Sequence, residues 1–192
     1  MSYHLTLSHV GIYVNDMARM VDFYSGFLGF AISDRGDNRN GGEIVFMTRD
    51  PREHHQFVLA SGRPDDLQFN IVNQLSFRVD SLDTLREMRE GLKKEATVEQ
   101  GVVTHGNALS VYFHDPEKNR VELLIDTPWY VPQPCRVPVD LSMSDDELWS
   151  TLERTVREMP GFKTQADWRA DIEKRIAEAT AKRRRAPAAA LA

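Results

Sequence analysis

The sequence has little cysteine, no long apolar run and no excess of basic residues. Its single cysteine, Cys135, cannot pair within the chain, which excludes a disulfide scaffold and favours a reducing compartment. No apolar stretch approaches the ~20 residues that span a bilayer, and the first ten residues lack the layout of a signal peptide. We therefore expect a cytoplasmic protein with no membrane partner.

The charge balance argues against a nucleic-acid partner. The chain carries 29 acidic and 24 basic residues, for a net charge of -5, and such a chain is not drawn to phosphate backbones. The basic cluster KRRR at 182–185 is more typical of a solvated helix end than of a nucleic-acid arm. With 192 residues, the chain can bury a core as one domain or as two small modules.

An internal repeat is the most informative feature of the sequence. Shifted by 65 residues, the chain matches itself: His9 falls on Gln74, and the turn RDP at 49–51 falls on HDP at 114–116. Each copy predicts one strand, one helix and three further strands. The predicted strands cover residues 8–14, 30–36, 43–49 and 54–60, and then 74–80, 101–105, 108–114 and 120–126.

The repeat predicts an α+β fold of two tandem βαβββ modules, at about 5–62 and 70–127, within a domain that ends near residue 130. Asn15 or Asp16, and Ser81, are expected to cap the two module helices. Residues 131–192 are predicted to form a Pro-rich linker, helices at 144–158 and 165–183, and a disordered tail. The apolar stripe of Trp149, Leu152 and Val156 predicts packing against the modules or a second subunit, so we expect a homo-oligomer.

One face of the predicted sheet is rich in ligand-type residues. Side chains alternate along a strand, which separates apolar positions such as Val121 and Leu123 from polar ones. A solvated sheet face typically carries Lys, Glu and Thr. This polar face instead carries the following residues: His9, His55, Gln74, Tyr112 and Glu122. The pattern favours a binding or catalytic site over a solvated surface.

The segments LSHVGIYVNDMARMVDFYSGFLGF and YFHDPEKNRVELL resemble the vicinal oxygen chelate superfamily. This superfamily includes glyoxalase I, fosfomycin and bleomycin resistance proteins, and extradiol ring-cleavage dioxygenases. The resemblance covers about residues 5–127. It implies that the two modules form a U-shaped mixed sheet around a divalent metal ion.

Within the superfamily, the chain is most similar to the extradiol dioxygenases. The resemblance implies that His9 and Glu122 are metal ligands and that the metal is Fe(II), with Mn(II) as the second choice. Gln74 is the third expected ligand, although the dioxygenases have histidine there. Glutamine binds metal through its amide oxygen more weakly than imidazole does, so this departure puts the affinity and identity of the metal in doubt.

The resemblance also implies residues that handle protons and substrate. The pair His54-His55 is similar to a doubled histidine of the dioxygenases whose second member is the acid-base residue, so we expect His55 to point into the cup and His54 away from it. Alternation places His55 on the same strand face as Phe57, and the 65-residue shift aligns Phe57 with Glu122. In addition, the resemblance implies two substrate-contacting residues: Tyr112 and His105.

The resulting hypothesis is an extradiol-type dioxygenase that acts on a catechol or biphenyl-diol-like aromatic compound, with O₂ as the second substrate. One alternative is a non-catalytic protein that binds a small ligand, which Gln74 favours. Another is a glyoxalase-like metal enzyme, which calls for a carboxylate in the last strand of the first module, where the alignment has Phe57. The fold alone does not decide among these functions.

Overall fold

The computed structural model describes residues 6–39, 41–95 and 97–185. These residues form two compact units, one of 6–101 and 111–124 and the other of 102–110 and 125–185. The boundary predicted near residue 130 stays a prediction, and the predicted disordered tail at 186–192 lies outside the described residues. In the described part of the chain, none of the helices combines the length and apolar character needed to cross a membrane.

The first module follows the predicted order of elements. Strand β1 (Val10–Val14) leads into helix α1 (Met17–Asp22), which continues as a π-helical segment, Phe23–Phe27. Asp16 caps α1, because its side chain accepts a hydrogen bond from the Arg19 amide at 3.0 Å. Three strands follow: β2 (Ala31–Asp37), β3 (Glu43–Thr48) and β4 (Phe57–Ser61). They form a sheet of order β1-β4-β3-β2, in which β1 is parallel to β4 and antiparallel pairs join β4 to β3 and β3 to β2.

The second module repeats this order. Its elements are β5 (Leu75–Arg78), α2 (Leu82–Leu92), β6 (Glu99–Thr104), β7 (Ala108–His114) and β8 (Arg120–Asp126). Ser81 caps α2 by accepting a hydrogen bond from the Thr84 amide at 3.1 Å. The strands lie in the order β6-β7-β8-β5, and β5 is parallel to β8. The tandem βαβββ arrangement is therefore confirmed, and the modules form two mixed sheets.

The C-terminal segment contains the two expected helices and three short strands. Its elements are β9 (Trp129–Tyr130), β10 (Val137–Pro138), α3 (Asp145–Arg157), β11 (Lys163–Thr164) and α4 (Gln165–Arg185). The strands have two residues each, which is too short for a periodic sequence pattern. Helix α3 buries Leu148, Leu152 and Val156, while Trp149 is half-buried with its ring 6.1 Å from that of Trp129. Of the predicted stripe, Leu152 and Val156 are therefore buried as expected, and Leu148 is buried rather than Trp149.

An aromatic core joins the two modules within the first unit. The ring of Tyr24 lies 4.5 Å from that of Phe57, and the rings of Phe30 and Phe77 are 5.6 Å apart. Tyr24 also donates a hydrogen bond to the buried carboxylate of Asp115 at 3.0 Å. Burial, and next the charge of Asp115, raise the pKa of the Tyr24 hydroxyl, so the phenol stays neutral and able to donate.

The second module is one residue shorter than the first between its first strand and its last strand. In the first module Gly11 pairs with Val58, and in the second Ser76 pairs with Glu122. Gly11 and Ser76 are 65 residues apart, but their partners are only 64 apart. Val58 is therefore the structural equivalent of Glu122, and the predicted alignment of Phe57 with Glu122 is wrong. Phe57 is directed into the aromatic core instead.

Candidate functional site

The site centres on the carboxylate of Glu122, which is buried on β8 with only 4% of the residue exposed. The strand has apolar neighbours on its other face, where Val121 and Leu123 are also buried. Removing a carboxylate from water is costly unless hydrogen bonds replace those it had with solvent. The surroundings of Glu122 therefore have to supply donors.

Three neutral side chains donate hydrogen bonds to this carboxylate. Ser76 Oγ and Gln74 Nε2 donate to Glu122 Oε2, at 2.5 and 2.9 Å, and Tyr112 OH donates to Oε1 at 2.6 Å. Ser76 lies beside Glu122 because β5 and β8 pair in parallel at this position, and Gln74 precedes β5 by one residue. We call these four residues the carboxylate cage. The carboxylate cage thus contains two of the three predicted metal ligands, Gln74 and Glu122, and the predicted substrate-contacting residue Tyr112.

The cage is reinforced from β7 and β8. Tyr112 is 3% exposed, and the guanidinium carbon of Arg120 lies 4.2 Å from the centre of its ring. Arg120 and Glu122 are two residues apart on the same strand, so they share a face. This cation–π contact holds the tyrosine ring while its hydroxyl donates to Glu122.

The predicted histidines of the first module form a second group, the histidine cluster of His9, His54 and His55. His9 directly precedes β1 and His55 lies two residues before β4, and these two strands are paired. The ring centres of His9 and His55 are 4.3 Å apart. The structure therefore brings the third predicted ligand into contact with the predicted acid-base residue.

His54 joins the cluster although it was expected to point away. Its Nδ1 lies 2.8 Å from Nδ1 of His55, and its Nε2 lies 3.8 Å from Oδ2 of Asp34. Both His54 and Asp34 are well exposed, with 59% and 67% of their side chains accessible. The expectation was based on strand alternation, but β4 begins only at Phe57, so alternation does not apply to the two histidines.

The pKa of His55 lies below its ordinary value. Desolvation by burial is the largest cause, followed by repulsion from His9 and His54 in their charged forms. His55 is therefore neutral at pH 7 and can accept a proton. A neutral imidazole beside a substrate is the starting state required of a general base.

His105 lies in the other unit, in the connection between β6 and β7. Its Nδ1 is 2.6 Å from the carbonyl oxygen of Cys135, and its own carbonyl accepts a hydrogen bond from Gln133. These contacts tie the connection to the Pro-rich segment. The predicted role of His105 near the substrate stays a prediction.

The predicted ligands are suited to a divalent cation, but the cage donors compete with a metal ion for the Glu122 carboxylate. Imidazole, amide oxygen and carboxylate are all ligands of first-row divalent metals. Gln74 directs its amide nitrogen at Glu122, so its carbonyl oxygen Oε1 is the atom that can bind a metal. A metal ion at Glu122 has to share the carboxylate with the cage donors. Among the described residues, no group of three His, Cys, Asp or Glu side chains could hold a metal ion, and the predicted set contains only two residues of these types.

Two residues of the site were missed by the sequence analysis. Ser76 lies two residues after Gln74, and this spacing was the available signal of its contact with Glu122. Phe46 has its ring centre 5.0 Å from that of His55 and 5.9 Å from that of His54. Its position could have been recognised only from the pairing of β3 with β4, which sets Phe46 opposite Val58.

The chain is similar to a curated protein. The chain is 28% identical over 124 residues to biphenyl-2,3-diol 1,2-dioxygenase 2 of Rhodococcus globerulus. The match covers 62% of this chain and 62% of the relative, so the chain accounts for less than two thirds of the relative's length.

Solved structures share the fold at low sequence identity. A glyoxylase/bleomycin resistance protein/dioxygenase domain from Frankia sp. EAN1pec matches with a TM-score of 0.57 and 21% identity, over 65% of this chain and 100% of that one. The fosfomycin resistance protein FosX from Listeria monocytogenes, in complex with Mn(II) and sulfate, matches with a TM-score of 0.51 and 19% identity, over 66% and 95%.

The family model of the Glyoxalase/Bleomycin resistance protein/Dioxygenase superfamily matches residues 6–123, which is more than half of the chain. The matched region contains both βαβββ modules up to the first residues of β8, together with the carboxylate cage and the histidine cluster. Helices α3 and α4 lie outside it. The chain therefore belongs to the Glyoxalase/Bleomycin resistance protein/Dioxygenase superfamily.

Proposed function

We propose that the protein is an extradiol-type ring-cleavage dioxygenase that acts on a catechol or a biphenyl-diol-like compound. The observation that carries the proposal is the contact of His9 with His55, whose ring centres are 4.3 Å apart. This contact sets a group suited to proton transfer beside a proposed metal ligand. The similarity to a biphenyl-diol dioxygenase of Rhodococcus globerulus supports the same class of substrate.

The proposed metal ligands are His9, Gln74 through Oε1, and Glu122, with Fe(II) favoured and Mn(II) as the alternative. A divalent ion held there supplies chelation of two adjacent substrate oxygens and electron transfer to O₂. Mn(II) accompanies the related FosX fold in its crystal structure. The cage keeps the Glu122 carboxylate in one orientation before the metal binds, because three donors hold its two oxygens.

The protein side chains then handle protons and position the substrate. His55 accepts a proton from a substrate hydroxyl, since its lowered pKa keeps it neutral at pH 7. It returns the proton as the ring C–C bond beside the diol breaks and both oxygen atoms of O₂ enter the product. The Tyr112 hydroxyl already donates to Glu122, so it contacts the substrate as an acceptor.

The proposal is tested by measuring O₂ uptake after anaerobic loading with Fe(II), with 2,3-dihydroxybiphenyl and catechol as substrates. We expect equimolar O₂ consumption and a yellow ring-opened product. His55→Ala should keep its metal and lose about 10²- to 10⁴-fold in turnover, the usual contribution of a general acid-base residue. His114→Ala is the matched control, because His114 ends β7 outside both residue groups.

Two outcomes would count against the proposal. If the metal-loaded protein consumes no O₂ with either diol, the dioxygenase assignment fails. If His55→Ala turns over at the rate of the unmodified protein, the acid-base role of His55 fails while the reaction class survives.

One observation favours a second candidate, a binding protein without chemistry. The Glu122 carboxylate is already held by three protein donors, so the cage does not need a metal ion to be stable. A glyoxalase-like reaction is less well supported, because the first-module position equivalent to Glu122 is the apolar Val58. Metal content after loading separates the dioxygenase from the binding protein.

A further inference from the structure

A cavity of about 510 Å³ lies in the first unit, beside the outer strand β5. Its volume is within the range of about 300–1,000 Å³ that is typical of small-molecule sites. It adjoins the carboxylate cage at Ser76, whereas Gln74, Tyr112 and Glu122 do not line it. Apolar side chains form much of its wall: Leu28, Phe30, Phe77, Val79, Met88 and Leu123.

The apolar wall is incompletely buried. Phe77 and Val79 occupy core-facing positions of β5 and its extension, yet both are only half-buried, as is Met88 of α2. Their neighbours Leu28, Phe30 and Leu123 are buried. The cavity therefore opens between side chains that strand alternation directs towards the core. A ligand with an apolar body would complete their burial.

Arg49 brings a positive charge to this wall. It follows the last residue of β3, and its Nη1 donates a hydrogen bond to the carbonyl oxygen of Leu28. Gly29 leaves room for the guanidinium: its φ is +70°, and an added Cβ would lie 3.3 Å from Nη1. Within 6–39, 41–95 and 97–185, no carboxylate forms an ion pair with Arg49, whereas Arg52 and Arg63 pair with Asp50 and Glu117.

Three charged residues line the cavity. Arg49 and Arg78 contribute two guanidinium groups, and Asp80 contributes one carboxylate. A hydrogen bond from Thr84 Oγ1 at 2.7 Å lowers the pKa of Asp80, so this carboxylate is ionised at neutral pH. Arg49, which has no ion-paired carboxylate in the described part of the chain, is therefore the group that an anionic ligand would contact.

We propose that this cavity binds a small amphipathic carboxylate, with the carboxylate on Arg49 and an aryl or branched apolar body against Phe77 and Met88. The planar guanidinium presents a fork of donors that matches a carboxylate. Only one hydrogen bond of the Arg49 guanidinium is made to the backbone, to the Leu28 carbonyl oxygen. This ligand differs from the diol substrate proposed above, so the two proposals are independent.

The test measures the binding of 2-naphthoate to the full-length protein by titration calorimetry, with EDTA present so that chelation by a metal plays no part. Arg49→Gln should weaken binding about tenfold, which corresponds to about 1.4 kcal/mol. The neutral analogue 2-naphthylmethanol should bind Arg49→Gln and the unmodified protein within about twofold of each other, since it has no charge for Arg49 to recognise. Met88→Trp should abolish the binding of both probes by filling the cavity.

Two control variants locate the site. Arg52→Gln removes an exposed, ion-paired arginine three residues away and should leave the affinity unchanged. His55→Ala should also leave it unchanged, because His55 does not line the cavity. The proposal is overturned if the unmodified protein does not bind 2-naphthoate, if Arg49→Gln binds it normally, or if His55→Ala loses it. If Arg49→Lys binds 2-naphthoate with an affinity between those of the unmodified protein and Arg49→Gln, the role of the guanidinium fork is supported.

Discussion

Replacing Tyr112 by phenylalanine isolates one hydrogen bond of the carboxylate cage. The Tyr112 hydroxyl donates to Glu122 Oε1 at 2.6 Å, and both residues are at least 96% buried. The substitution keeps the aromatic ring and its contact with Arg120. It therefore removes a donor from a buried carboxylate without opening a large cavity.

The expected loss of stability follows from the charge of the acceptor. A hydrogen bond to a charged group contributes about 1.5–3 kcal/mol, so we expect the free energy of unfolding to fall by about 2 kcal/mol. For a chain of this size, each kcal/mol lowers the melting temperature by about 2–4 °C, which gives a decrease of about 4–8 °C. Chemical and thermal unfolding followed by circular dichroism would measure both quantities.

Tyr13→Phe is the matched control. Tyr13 is 58% exposed and makes no side-chain hydrogen bond in the described part of the chain, so its change should stay within about 0.5 kcal/mol. A double-mutant cycle with Glu122→Gln should give a coupling energy of at least about 1 kcal/mol. A loss at Tyr112→Phe no larger than that of the control, with additive effects in the cycle, would refute the cage as a stabilising unit.

Three further predictions concern the metal ligands, the histidine cluster and the C-terminal segment. Gln74→His should raise the affinity for Fe(II) or Mn(II) about ten- to a hundredfold, measured by competition with a chelator, because imidazole is the stronger ligand; unchanged affinity would mean that Gln74 does not bind the metal. In an NMR titration of the metal-free protein, the pKa of His55 should lie below its ordinary value, and His9→Ala should raise it by removing a like charge; no change would contradict the coupling. A chain ending at Thr127 loses the buried Leu148, Leu152 and Val156, so we expect aggregation or a changed mass in light scattering; an unaltered monodisperse mass would show that the segment is an independent appendage.

The elements of the fold could be predicted closely where local chemistry determines them. Strands β7 and β8 have the predicted bounds, and Asp16 and Ser81 cap their helices as expected. Side-chain caps and apolar periodicity act over a few residues, so they can be recognised in a single sequence. The two-residue strands β9, β10 and β11 carry no such pattern.

The register of the last strand could not be predicted in the same way. A deletion of one residue between the module copies exchanges the two faces of a strand, because side chains alternate. Phe57 therefore lies in the aromatic core, and Val58 takes the position equivalent to Glu122. Phe57 and Val58 are both apolar, so the sequence alone does not show which of them is equivalent to Glu122. Only the strand pairing distinguishes the two.

The strand face shared by the cage residues could be predicted from the sequence, but their contacts could not. Alternation placed Gln74, Tyr112 and Glu122 on one face, but it does not reveal that three hydrogen bonds of the cage converge on one carboxylate. The contacts of His54 with His55 and Asp34 arise in an irregular segment, where no periodic rule gives side-chain direction. Long-range pairing thus adds the contacts that the sequence pattern alone leaves open.

The central claim, a divalent metal ion held by His9, Gln74 and Glu122, is tested most directly by its stoichiometry. The protein is loaded anaerobically with Fe(II) or Mn(II), passed over a desalting column and analysed for metal, beside His9→Ala and Glu122→Ala. The account predicts about one ion per chain in the unmodified protein. In each variant the dissociation constant should be at least about tenfold larger, since each variant loses a direct ligand. A metal-free protein after loading, or variants that retain the full metal content, would contradict it.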